Sequence, residues 1–182
     1  MHAADYQPPW WLRNGHLQTF LGSSPWRVRR GARALAAAGA TTSEHVLDAG
    51  AGVRLHGLLS TLPGTEPRGL ALLLHGWEGS VESSYMRLTA AQLLARGFEV
   101  FRLNFRDHGN THHLNEEIFH SCRIDEVVLA AKDIARRFPL WPMVVAGYSL
   151  GGNFALRLAA AATNGRAVAL AAAERLRLAA VE

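Results

Sequence analysis

The chain has 182 residues, 49% hydrophobic and 19% charged, with 17 Gly, 7 Pro and one Cys, which excludes a disordered or low-complexity segment and suffices for one domain with a sizeable core. Nineteen basic against fifteen acidic residues leave a net charge of +4. The arginines are scattered, with no run beyond the pairs Arg29-Arg30 and Arg136-Arg137, so no nucleic-acid partner is expected. Cys122 is the single cysteine, which excludes an intrachain disulfide and a two-cysteine metal site. Asp5 and two prolines occupy the opening where a signal peptide needs an apolar run. No stretch approaches the ~18 uninterrupted apolar residues of a membrane span. The expectation is a cytoplasmic protein without a membrane span.

Residues 1–40 read as an irregular segment: a Pro-Trp-rich opening, arginines from Arg27 to Arg33, then an Ala-Gly stretch. Trp10, Trp11 and Trp26 fit core packing by default, with a lid or an apolar entry to a site as alternatives. Residues 41–182 read as the folded domain. Segments 43–49 and 53–60 flank Ala49-Gly50-Ala51-Gly52 as a hairpin around a glycine-bearing turn. Leu70 to Leu74 is wholly apolar, as in a strand buried on both faces of a parallel sheet. A helix follows, capped near Ser83 or Ser84, with Met86, Ala90, Leu93 and Leu94 on one face and Gly97 at its stop. Phe98 to Phe105 reads as the next strand, followed by a long polar loop.

The spacing of Ile124, Val127, Val128, Ala131, Ile134, Ala135 and Phe138 predicts a helix over 121–138. Ser121 suits its start, acids its first turns and Arg136-Arg137 its last. Met143 to Ala146 reads as a buried strand and Leu150 to about Ala162 as a helix. A last strand falls at Leu176–Val181, or alternatively at Ala167–Ala173. Alternating strands and helices imply an α/β sheet with parallel strands and right-handed crossovers.

Gly147-Tyr148-Ser149-Leu150-Gly151 spells G-x-S-x-G between a strand and a helix. A strand turning that abruptly into a helix strains the central residue. It also brings the positions two before and two after it too close for side chains, hence the glycines Gly147 and Gly151. The turn presents Ser149 as a nucleophile at the C-terminal edge of the sheet, with a helix N-terminus aimed at the reacting carbonyl. An oxyanion hole needs two fixed backbone N–H groups. Leu150, next after the serine, supplies one. Trp77, in His75-Gly76-Trp77-Glu78-Gly79 after the first buried strand, supplies the other. His75 is a candidate base, although its place beside Gly76 favours a structural role.

These residues resemble the α/β-hydrolase superfamily, specifically its YheT-like bacterial branch. The matches are NGHLQT at 14–19, HGWEGS at 75–80, Ser84-Tyr85, NFRDHG at 104–109, HHLN at 112–115, FHS at 119–121 and GYSLGGN at 147–153. The resemblance implies an α/β-hydrolase fold, a mostly parallel sheet with helices on both faces. It implies a serine hydrolase of carboxylic esters, with Ser149 as nucleophile and Trp77 and Leu150 as oxyanion donors. The expected partner is a small ester substrate, acyl or lipid-like.

The family's triad runs Ser, Asp, His, yet no aspartate or histidine follows Ser149 here; Glu174 and Glu182 are the only later acids. The expectation is therefore an incomplete domain lacking the last strands and helix. It would be inactive as it stands and prone to self-association through an exposed sheet edge. A substitute base among His75, His108, His112, His113 and His120 is the less favoured alternative. A non-catalytic binding module is another. A lipid acyltransferase-like activity on the His120-x4-Asp125 spacing is a third, against the plainer reading of Asp125 as a helix-start residue. No cofactor is expected, and no metal, because the histidines share no paired spacing on one regular element.

Overall fold

A computed structural model describes residues 7–22, 24–139, 142–163 and 176–178. Its centre is a six-stranded sheet in the order β1-β2-β4-β3-β5-β6. The strands are β1 (Thr41–Asp48), β2 (Arg54–Thr61), β3 (Gly69–Leu74), β4 (Phe98–Leu103), β5 (Met143–Gly147) and β6 (Leu176–Leu178). β1 and β2 form the expected antiparallel hairpin, from Thr41 opposite Thr61 to Asp48 opposite Arg54. β2 is antiparallel to β4, whereas the pairs β3–β4, β3–β5 and β5–β6 are parallel. β6 places the last strand at the first of its two expected positions; 167–173 and 179–181 lie outside the described residues.

β3 is buried along its whole length, and its alternating side chains serve two cores. Leu70, Leu72 and Leu74 point toward α4 (Ile124–Arg137) and α5 (Leu150–Thr163), where they meet Phe101, Val127, Ile134, Phe154 and Leu158. Ala71 and Leu73 point the other way, toward Met86, Ala90 and Leu94 of α3 (Ser84–Leu94). This two-sided burial is what a continuous apolar run in a parallel sheet requires.

The N-terminal region departs from the irregular expectation. It forms two helices, α1 (Gly15–Gly22) and α2 (Pro25–Ala37), after a helical turn at Trp10–Leu12. Asn14 starts α1, its side-chain oxygen accepting the N–H groups of His16 and Leu17 at 2.9 and 3.2 Å. Pro25 occupies the first turn of α2, where its missing N–H is harmless. α2 leans on α3 so closely that a Cβ on Gly31 would lie 2.9 Å from the Ser84 carbonyl oxygen. The tryptophans depart from the default as well, for Trp10, Trp11 and Trp26 are exposed rather than packed.

α4 begins at Ile124 rather than Ser121, because 121–123 form a turn that donates the Ile124 N–H to Cys122. It is fastened to β1 by Asp133, whose carboxylate accepts the Asp48 N–H at 3.0 Å and the Arg137 guanidinium at 2.7 Å. Burial would raise that carboxyl, but Arg137, the Asp48 N–H and Arg136 together hold it below its ordinary range.

Candidate active site

β5 delivers the chain into Tyr148 and Ser149, and α5 begins at once with Leu150. The turn is tight enough to be measured. A Cβ on Gly147 would lie 2.2 Å from the backbone of Gly151, and one on Gly151 would lie 2.3 Å from the Leu74 oxygen and 2.5 Å from the His75 oxygen. Ser149 takes φ 51°, a left-handed conformation that a side-chain-bearing residue adopts only when its surroundings impose it. The N–H of Asn153 returns to the Ser149 carbonyl at 3.1 Å, starting the helix, and the serine side chain is left exposed.

Facing it is the loop that follows β3. The Tyr148 N–H donates to Leu74 at 3.1 Å and joins the two strand ends. A Cβ on Gly76 would lie 3.3 Å from the Tyr148 oxygen and 3.6 Å from the Ser149 Cβ. The backbone preceding Trp77 therefore abuts the serine. Among the described residues, no acceptor takes the N–H of Trp77 or of Leu150, so both amides are available to a ligand.

His75 holds this loop by both ring nitrogens and is fully buried. Nε2 accepts the Phe105 N–H at 3.1 Å, which leaves the proton on Nδ1 to donate to the Gly76 carbonyl at 2.7 Å. Burial, with a smaller push from His108, drives its pKa down to about 4 against the Gly76 bond that would raise it. A neutral imidazole committed at both nitrogens is a strut between the β3 and β4 loops and has no nitrogen left to take a proton from Ser149.

Two further supports come from residues to which the sequence reading gave no role. Tyr85 accepts the Gly76 N–H at 3.0 Å, and its ring lies 4.7 Å from that of Tyr148, whose hydroxyl is bonded to Thr89. Further along the loop, β4 grips Val81. Its N–H donates to Asn104 at 2.9 Å and its carbonyl accepts from the buried Arg102 at 2.7 Å. Burial first, then the neighbouring Arg87, lowers the Arg102 guanidinium to about 10, and its Nε is buried without a partner. Tyr85 sits in the Ser84-Tyr85 family match, and Tyr148 is a variable position of the serine motif. Only the folded chain shows that they support each other.

Trp77 is 61% exposed and stands edge-on to Phe119 with ring centroids 6.0 Å apart. Phe119 stacks on Phe105 at 5.4 Å and meets His108 at 4.9 Å, so an apolar aromatic wall borders the serine turn. Ile118, next to it, is exposed. No described side chain, the other histidines included, is hydrogen-bonded to the serine hydroxyl. His108 is bonded to the Arg106 carbonyl at 2.8 Å, and His112 is paired with Asp107.

His112 and His113 line a polar cleft of about 990 Å³ between the β1–β2 turn, the loop after β4 and the start of α4. Arg106 is buried there and bidentate to Glu126 at 3.1 and 2.7 Å. Asp125 lines the same cleft from the first turn of α4, while His120 is exposed in the preceding loop. Among the described residues, no three His, Cys, Asp or Glu side chains converge as metal ligands. No described helix is long and apolar enough to cross a membrane.

A strand order of β1-β2-β4-β3-β5-β6, with a strained serine between β5 and its helix, is the arrangement of the α/β-hydrolase fold. The chain belongs to that family, whose pattern matches residues 71–177. Among solved structures it is similar to XC6422 of Xanthomonas campestris, an α/β serine hydrolase without a lid. That pair shares 25% identity and a TM-score of 0.57 over 66% of this chain and 56% of the other. It is similar in fold to the Pyrococcus furiosus esterase Pf2001, with 22% identity and a TM-score of 0.59 over 68% of this chain and 48% of that one. A cold-adapted esterase from an Arctic intertidal metagenomic library shows 19% identity and a TM-score of 0.57 over 70% and 58% of the two chains. The chain thus spans about half the length of the solved structures it resembles. No curated protein matches it.

Proposed function

We propose that this chain carries the nucleophile and oxyanion hole of a serine hydrolase acting on carboxylic esters, of the YheT-like branch suggested by its motifs. The observation that carries the reading is the pairing of Ser149, at φ 51°, with the backbone of Gly76 and the unengaged N–H groups of Trp77 and Leu150. Ser149 Oγ would attack the ester carbonyl carbon. The carbonyl oxygen would take up the negative charge between the two amides, with the start of α5 adding its dipole. Collapse of the intermediate expels the alcohol and leaves an acyl-serine for water to cleave. The wall of Trp77 and Phe119 suits the hydrocarbon part of an acyl group.

Among the described residues no side chain is hydrogen-bonded to Ser149 Oγ, and with these residues alone its proton would pass to solvent. In serine hydrolases the loss of a triad member lowers turnover ~10⁴- to 10⁶-fold. Turnover of p-nitrophenyl acetate and butyrate by this chain should therefore stay within about tenfold of Ser149→Ala. The decisive test is prolonged exposure to a fluorophosphonate at pH 9. Labelling that is lost in Ser149→Ala supports the assignment. Equal labelling of the two proteins, or none, would favour a pocket that binds without chemistry.

A further inference from the structure

Between residues 7 and 43 the chain holds Arg13, Arg27, Arg29, Arg30 and Arg33 and no acidic residue. These five outnumber the chain's net charge of +4, so the remainder is close to neutral. All five are exposed, and among the described residues none is in an ion pair. Interleaved with them are large apolar side chains facing solvent: Trp10 at 81% exposure, Phe20 at 71%, Trp26 at 66% and Trp11 at 51%. Leu17 and Val28 are exposed as well. The region is ordered into a turn and two helices, with α1 packed against the Trp10–Leu12 turn and α2 against α3. Arg30 lies over the Trp26 ring at 5.9 Å, so cation and aromatic share one surface.

We propose that this N-terminal surface, residues 10–33, docks on an anionic phospholipid bilayer. Tryptophan and phenylalanine settle at the boundary between headgroups and acyl chains, and the arginines of α2, which flank Trp26, meet lipid phosphates. Either feature alone is ordinary; together they have the two-part form that reversible interfacial binding needs. Aliphatic Leu17 and Val28 fit an acyl boundary and have no base-stacking use, which favours lipid over nucleic acid. Gly31 of α2 abuts Ser84, the first residue of α3, and the serine-facing loop leads directly into that helix. The helix bearing Trp26, Arg29 and Arg30 therefore packs on the helix that the serine-facing loop feeds. The inference does not depend on that serine being catalytic.

The test is sedimentation of the full chain with vesicles of 30% phosphatidylglycerol in phosphatidylcholine, alongside pure phosphatidylcholine vesicles. Binding to the anionic vesicles should exceed binding to the neutral ones by more than about tenfold and weaken as salt rises. Trp26→Ser/Phe20→Ser and, separately, Arg29→Gln/Arg30→Gln should each lower the partition coefficient at least about fivefold with circular dichroism unchanged. Ser149→Ala should bind as the unaltered chain does, so a failure here is separable from a failure of the hydrolase reading. The proposal is overturned by equal partition into both vesicle types or by no partition. It is also overturned if the same substitutions abolish self-association or retention on duplex DNA while leaving vesicle binding unchanged.

Discussion

The Phe105 N–H donates to His75 Nε2 across 3.1 Å, so a backbone group two residues past β4 decides which nitrogen of His75 carries the proton. Protonating His75 would break this bond, since both nitrogens would then be donors. The folded pKa of about 4 lies below the ordinary 6.5. Stability from the neutral ring is therefore fully present above about pH 6.5 and is lost as pH falls toward 4, because only the unfolded chain takes up the proton in that interval. The loss is on the order of 3 kcal/mol across the window. Urea midpoints between pH 7 and pH 4 should show it, and His75→Asn should flatten the slope. An unchanged slope in the variant would place the titration elsewhere.

Gly151→Ala should be severe. The added methyl would lie 2.3 and 2.5 Å from the carbonyl oxygens of Leu74 and His75, which belong to the β3 end and cannot swing aside. A loss at or beyond the upper end of ~1–3 kcal/mol is expected. Gly15→Ala, whose methyl would find nothing within 4 Å, should change stability by less than about 1 kcal/mol. Equal thermal shifts in the two variants would refute the steric account.

Asp133→Ala should loosen α4 from β1. It leaves the Asp48 N–H without its acceptor and removes the partner of Arg137. The expected loss is ~1–3 kcal/mol, larger than for Ser43→Ala, whose exposed hydroxyl bonds His45. Chemical denaturation of both variants at pH 7 makes the comparison.

The pH profile of Ser149 labelling distinguishes solvent from a side-chain base. With no described base at the hydroxyl, the labelling rate should climb about tenfold per pH unit from 6 to 9. A histidine base would instead give a plateau above about pH 6.5. A plateau that survives His75→Asn but vanishes in a His108 variant would assign that role to His108.

Much of the sheet could be read directly from the sequence, because β3 and β5 are short apolar runs, the first followed by His75-Gly76 and the second ending at Gly147. The stripe from Ile124 to Phe138 likewise had only a helix to belong to. The need for glycine at 147 and 151 is local geometry, and local geometry is written in the motif. The helices at 15–22 and 25–37 were harder. The buried position of α2 is Gly31 and much of its inner side is alanine, so no stripe of large residues marks a face. The signals present were Asn14 at one start and Ser24-Pro25 at the other. The supports of the serine-facing loop were hidden for another reason. Tyr85, Thr89, Arg102, Asn104 and Tyr148 converge only after β4 is inserted beside β3, and that strand order is a property of packing rather than of any segment.

Val81 is held through both its N–H and its C=O by β4 and the residue after it, its C=O by Arg102 and its N–H by the Asn104 side chain. It belongs by sequence to a loop and by bonding to the sheet. Its amide hydrogen should exchange with deuterated solvent on the slow schedule of β4, whereas the amides of Trp77 and Glu78 a few residues earlier should exchange within the dead time. The boundary of the cooperative folding unit would then run through the middle of the loop. One end of the serine-facing segment would ride on the least yielding part of the protein, while its other end, braced at Gly76 by His75 and Tyr85, keeps solvent-open amides for whatever settles against Ser149.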